Sequence, residues 1–322
     1  MTITGAKILL ATLILARSSA FVFSKFIMEE LTPFQALGWR FLLAFCILAL
    51  LCHKHLGNAL KMDSSLWKKG ALLGGSLFCV MIFEMFSLRT AAVHTVAFLE
   101  NLAVALVPLF LAIYSRRLPA NKILIGCGFV LAGVAGLTCG PHGFVLQGGE
   151  SWALLTAVFY ALYIIATGAF TKNTDGLSLG ILQMGMVGIL SFAAAWLQGG
   201  IAVPTHALTN LSLLFQILVC SYFGFALQPV AQRYISSEEA GLYCALTPLF
   251  GAGLGMLVFQ EVLTPAGLLG AFYILIGMLW VNWPKNLQQI AQSKPAFNPS
   301  SSHGQVEYLK QNAPSIPGTA TR

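Results

Sequence analysis

Four ionisable side chains stand inside long apolar runs of this sequence: Arg17, Arg40, Glu84 and Glu100, the last followed directly by Asn101. A charge held mid-bilayer costs about 2.5–3.5 kcal/mol on insertion scales, so it persists where it pairs, faces a polar cavity or handles a ligand. At ~1.5 Å per residue, counting from the nearest loops, these groups fall between the midplane and one side. Two readings follow. Arg17 or Arg40 neutralises Glu84 or Glu100 as a fixed ion pair, or the four line a passage. The readings overlap, because a cargo could take the place of one partner. Guanidiniums suit a carboxylate; carboxylates suit an amine or a sulfonium.

Thr156, Tyr160, Tyr163 and Thr167 are spaced four, three and four, which puts two phenols and two hydroxyls on one helical face. That face is a candidate cavity wall. Gln183, Gln228, Gln232 and Tyr243 extend it from later runs, and Trp39 and Phe98 are candidates for stacking or, more simply, for packing. Pro108, Pro229 and Pro248 lie within apolar runs, where each withdraws a backbone donor; they are candidate hinges. The small-residue series Gly128, Ala132, Gly136 and Gly251, Gly255 suit close helix contact rather than ligand binding.

Enzyme constellations are missing from the chain. It has no H-E-x-x-H, no P-loop and no dinucleotide fingerprint, and His53 and His55 flank Lys54 in what reads as a solvated loop. The seven cysteines contain no C-x-x-C pair and sit in or beside apolar runs, as small buried residues do. No catalytic residue, metal ligand or cofactor site is assigned.

The elements that must position these groups are set by composition. Of 322 residues 57% are hydrophobic and only 9% charged, against about 25% charged in soluble domains. The expected fold class is an all-α integral membrane protein with ten spans: Ile8–Ile27, Phe34–Leu51, Gly70–Leu88, Val93–Tyr114, Ile123–Leu137, Trp152–Phe170, Leu179–Trp196, Leu211–Ala231, Ala240–Phe259 and Ala266–Trp280. The net charge of +7 does not point to nucleic acid, because the basic residues occupy short loops between spans. With the N-terminus inside, Lys7, Lys54, Lys61, Lys68, Lys69, Arg116, Arg117, Lys122, Lys172, Arg233 and Lys285 share the cytoplasmic side. Lys25 and Arg89, with Glu29, Glu30, Glu150 and Glu261, take the other. Both termini are then cytoplasmic. Five spans per half is odd, so the second half enters upside down. The expected organisation is a first five-helix repeat over 1–139, a second over 140–284, and a polar, disordered cytoplasmic tail over 285–322.

The chain resembles the ten-helix EamA-type transporters of the drug/metabolite transporter superfamily. The resemblance rests on SSAFVFSKFIMEELTPFQALGWRFLLA (Ser18–Ala44), TAAVHTVAFLENLAVALVPLF (Thr90–Phe110), Gln228–Gln232 and ALTPLF (Ala245–Phe250). It departs where Ala16-Arg17 stands near the family's usual Trp-Gly pair, which bears on cargo. The likeness implies transport of a small polar metabolite across a bacterial inner membrane, with membrane lipid as the other partner. Mixed charge in the spans favours a small zwitterionic or cationic cargo such as an amino acid or derivative. S-adenosylmethionine, exchanged for S-adenosylhomocysteine, is the specific alternative, since some members of that superfamily carry it. A membrane enzyme or a non-transporting scaffold is the remote one.

Overall fold

A computed structural model describes residues 1–116, 121–138, 148–244, 246–260 and 265–282. The expected tail over 285–322, the boundary near 139, and Arg117 and Glu261 lie outside the described residues. Among the described residues the chain is helical throughout, with no strand. It is an all-α integral membrane protein. Eight helical stretches are long and apolar enough to cross a bilayer, and two shorter apolar helices, Asn121–Gly133 and Pro265–Gly277, occupy the fifth and tenth positions.

Several spans are not continuous. Span one is α1 (Ile3–Ser18) and α2 (Ala20–Ile27); span two is α3 (Pro33–Leu51). A short amphipathic helix, α4 (His53–Met62), replaces the loop expected there and leads into span three, α5 (Leu66–Thr90). Span four divides into α6 (Val93–Glu100) and α7 (Ala103–Ser115); span five is α8 (Asn121–Thr138). Spans six and seven are α9 (Gly148–Phe170) and α10 (Gly176–Leu197). Span eight runs α11 (Ala207–Phe215), a π-helical segment (Gln216–Phe225) and α12 (Ala226–Gln232). Span nine divides into α13 (Ser237–Tyr243) and α14 (Leu246–Phe259), and α15 (Pro265–Asn282) closes the bundle.

Local chemistry sets the ends. Thr32 and Gln35 form a reciprocal capping box ahead of Pro33, which needs no hydrogen bond in the first turn of α3. Asp175 caps α10 by accepting from the Ser178 amide at 2.8 Å. Gly199 and Gly200 carry φ of +125° and +115°, which lets the chain leave α10 and turn back along the rim.

The packing between spans has an internal symmetry. α8 lies along α15, and α3 along α10, so spans five and ten, and two and seven, are partners. The other principal packings come in pairs related by moving each span five places. Three on six is matched by one on eight, three on seven by two on eight, and four on six by one on nine. Small residues allow the closest approaches. A Cβ at Gly133 would stand 2.5 Å from the Gly270 carbonyl oxygen, whereas one at Gly128 would meet nothing within 4 Å. The α8 contact face therefore runs through Gly133 and Gly136, not through the Gly128–Ala132–Gly136 series expected from spacing.

Polar groups mark two rims. On one, Lys7 pairs with Glu239 at 3.1 Å, His55 with Asp175 at 2.9 Å, and Lys69 with Asp63 at 2.9 Å. On the other, Glu30 accepts from the Thr205 amide and hydroxyl and from the His206 amide, and Gln35 donates to the Gly200 carbonyl at 3.0 Å. The Thr205 amide first, then the Thr209 and Thr205 hydroxyls, hold the Glu30 carboxyl at about 2, below its ordinary 4.5.

Candidate functional site

Arg17 ends the first half of span one, two residues before the chain breaks at Ser19. Its Nη1 donates to the Tyr160 hydroxyl and to Gln228 Oε1, both at 2.8 Å. Its guanidinium lies 3.8 Å from the centroid of the Phe225 ring, a cation–π contact in a dry setting. Tyr160 stacks on Tyr163, centroids 6.1 Å apart. The Tyr163 hydroxyl donates to Gln183 Oε1 at 3.2 Å, and Gln183 Nε2 donates to the Phe225 carbonyl at 3.0 Å. Arg17, Phe225, Gln183, Tyr163 and Tyr160 thus form a closed circuit drawn from spans one, six, seven and eight.

The Gln183 contact has a backbone reason. Pro229 has no N–H to offer the carbonyl four residues earlier, which is that of Phe225. Pro108 poses the same problem for Val104, whose carbonyl faces the Cys127 thiol at 3.8 Å. Pro248 stands in the first turn of α14, where a missing donor costs nothing. Of the three candidate hinges, two therefore have a donor from a neighbouring helix, and the third starts a helix.

Arg40, buried on α3, donates from Nε to Ser221 Oγ at 2.8 Å. Arg17, Arg40, Glu84 and Glu100 line one cavity together with Phe225 and Thr247. Four charges within apolar spans must either share a cavity or pair. They share a cavity, and no ion pair within 4.0 Å joins an arginine to a glutamate of this group. The cavity volume is about 10 Å³, room for roughly one water.

Three buried polar atoms of the lining have no hydrogen-bond partner, Arg17 Nε, Arg40 Nη2 and Glu100 Oε2; both amide atoms of Asn101, which follows Glu100 but does not line the cavity, are unpartnered as well. Leaving such a group unpaired costs about 1–3 kcal/mol, more for a charge, so a fold retains several of them only for a reason. Donors and acceptors occur in the same set.

The chain breaks surround this place. After Glu100 the amides of Asn101 and Leu102 bond three residues back, at 3.1 Å each, instead of four. In span nine the Cys244 and Thr247 amides do the same, at 3.0 and 2.9 Å. The two breaks occupy matching places: α6 has 8 residues before its break and α13 has 7. Span one breaks at Ser19, and the π-helical segment brings Ser221 and Phe225 to the cavity side. Discontinuous helices around a central polar site are a feature of secondary transporters.

The remaining candidates divide. Gln228 and Tyr160 hold Arg17, while Tyr163 and Gln183 stand behind it. Thr156 and Thr167 donate to carbonyls of their own helix, so their hydroxyls are already engaged. Tyr243 is not on the cavity; its charged neighbours are Lys7 and Glu239 at the rim. Trp39 donates to the Ala202 carbonyl at 2.8 Å on the opposite rim, and Phe98 is fully buried. Ser221, Phe225 and Thr247 were missed. A lone Ser, Phe or Thr in an apolar run carries no charge signal, and only the π geometry gives the first two their place.

Comparison with known proteins follows the same lines. The EamA-like transporter family profile matches the chain twice, over residues 5–139 and 147–283. A relative from Archaeoglobus fulgidus, named as an uncharacterized transporter, is 23% identical over 283 residues, covering 85% of this chain and 84% of its own. Another from the same organism, named likewise, is 25% identical over 263 residues, covering 79% and 89%. A solved crystal structure at 18% identity superposes with a TM-score of 0.66 over 87% of this chain and 96% of that one, and so shares the fold. With a matching profile over most of its length and broken helices around a buried polar cavity, the chain belongs to the EamA-like transporter family.

Proposed function

We propose that this transporter moves a small zwitterionic or cationic organic metabolite, an amino acid or a derivative, by alternating access. The cargo site in this reading is the cavity between Arg17, Arg40, Glu84 and Glu100. The observation that carries it is the set of unpartnered buried atoms on the cavity: Arg17 Nε and Arg40 Nη2 are donors for a carboxylate, and Glu100 Oε2 is an acceptor for an ammonium. A single ligand bearing both groups satisfies all three. Pockets that hold small molecules run about 300–1,000 Å³. A 10 Å³ cavity must widen to take cargo, as an intermediate closed at its centre would.

The two five-helix repeats, 1–139 and 140–284, act as the rocking units in this account, one inverted relative to the other. The paired packings and the matching breaks in spans four and nine support that arrangement. The protein sits in a bacterial inner membrane with both termini in the cytoplasm, as the basic loops favour. Uptake of radiolabelled amino acids and of S-adenosylmethionine into proteoliposomes tests the reading. The expected result is saturable uptake of at least one zwitterion, reduced more than tenfold in Arg17→Lys and Glu100→Gln. Uptake confined to uncharged or purely anionic solutes contradicts it.

A further inference from the structure

Between the cavity and the rim that carries Lys7 and Glu239, the bundle is closed by α1, α9, α12 and α13. Lys7, Leu10, Ile14 and Arg17 are spaced three, four and three, so they share one face of α1. At its inner end Arg17 meets Gln228 of α12 and Tyr160 of α9; at its outer end Lys7 meets Glu239 of α13. Both α12 and α13 pack on α1 and on α9. The stretch from Lys7 to Arg17 is ~15 Å long, at ~1.5 Å per residue. Leu10 and Ile14 fill it with apolar side chains, and Thr167 and Thr171 already donate to carbonyls of their own helix.

Gln232 is different. It lies one turn beyond Gln228 on the same face of α12, ~6 Å from the Arg17 contact toward the rim, and is 2% exposed. Neither its Nε2 nor its Oε1 has a hydrogen-bond partner. Packing does not call for an amide at this place. α6 and α13 begin the matching spans four and nine, at Val93 and Ser237. Counting back equally from those two residues, Glu84 stands where Gln228 stands, and Leu88 where Gln232 stands. Leu88 is buried too, so a leucine fills the position in one half of the chain. In the other half two polar atoms are taken out of water, and the closed bundle offers them no partner.

We infer that Gln232 is a cargo contact on the arm of the passage between the cavity and the Lys7–Glu239 rim, a station that a small zwitterion meets on its way to or from Arg17. Nε2 donates to a carboxylate and Oε1 accepts from an ammonium, so one side chain serves either end of such a cargo. An uncharged amide holds each end less tightly than a charged group does, which lets the cargo move on. The Lys7–Glu239 pair shuts the arm at its mouth. This role rests on the cavity being the cargo site, so the experiment has one part that uses cargo and one that does not.

In the full chain with its native cysteines replaced and reconstituted in vesicles, Gln232→Cys is treated from either face with the membrane-impermeant trimethylammonioethyl methanethiosulfonate. It is expected to react about tenfold faster from the Lys7 side than from the other, and about tenfold faster than Ala231→Cys, its buried neighbour off that face. Adding Glu239→Gln is expected to speed the reaction about fivefold. Equal rates at the two positions, or from the two faces, overturn the arm; an unchanged rate in Glu239→Gln overturns its closure by the rim pair. Gln232→Leu is made in the native chain, so it does not depend on the cysteine background. Its melting temperature is expected at or above that of wild type, because two unpaired atoms are removed. Its uptake of radiolabelled amino acids and S-adenosylmethionine is expected to fall about fivefold, the loss of about one hydrogen bond. Undiminished uptake, or a lower melting temperature with uptake lost in step, overturns the cargo contact. If Arg17→Lys transports normally while Gln232 behaves as expected, the cavity assignment alone fails.

Discussion

Arg17 is held by one guanidinium nitrogen and by its flat face, with Nε of the fork left open. Nη1 reaches two oxygens, and the plane rests on Phe225. A lysine ammonium offers a point charge with neither the fork nor the plane. Arg17→Lys should therefore keep expression and fold but lose more than tenfold in transport, as measured in proteoliposomes; retention of rate would show the fork to be dispensable. Gln183 makes a different prediction. Its Nε2 serves the carbonyl that Pro229 leaves without an amide. Gln183→Leu should cost about 1–3 kcal/mol of stability. Pro229→Ala restores an amide nearby, so the double variant should lose less than the sum of the singles, by about 0.5–3 kcal/mol. Strict additivity in thermal unfolding would sever the link between the two residues.

The elements carry their own tests. Gly133 sits where α8 meets the backbone of α15, and Gly128 faces open space. Gly133→Leu should destabilise the bundle sharply and Gly128→Leu hardly at all, by thermal unfolding in detergent; equal effects would mean that α8 packs by another face. At the rim, Glu30 binds the turn before α11 through amides and a hydroxyl that favour its charged form. Its folded value, about 2, lies below the ordinary 4.5, so its contribution is fully present above pH 4.5 and is lost as pH falls through about 2. The stability gap between wild type and Glu30→Gln should be constant near neutrality and shrink through that window. A gap independent of pH would leave the carboxylate without a role.

The spans were legible because apolar runs interrupted by basic loops leave few alternatives. The breaks in spans one, four and nine and the π-helical segment were not, since the sequence around Ser19, Asn101 and Cys244 stays helix-compatible, with no Gly or Pro at the break itself. Tertiary packing and the buried charges decide those places. The four ionisable residues were found by their cost in a bilayer, and the cavity they line follows from that cost. Tyr243, expected on the cavity wall, is not among the residues that line the cavity, and its charged neighbours are Lys7 and Glu239.

For the whole molecule, the account requires two halves of opposite orientation moving about a shared polar centre. Reporter fusions at both ends should give the same cytoplasmic signal, and opposite signals would break the inverted-repeat scheme. The most direct test of the centre itself is tracer exchange in proteoliposomes loaded with the transported zwitterion, comparing wild type, Glu100→Gln and Glu238→Gln, the latter in the first turn of α13 beside the rim residue Glu239. The account predicts rapid exchange in wild type and Glu238→Gln, and a loss of more than tenfold in Glu100→Gln at unchanged protein content. Full exchange by Glu100→Gln would contradict it.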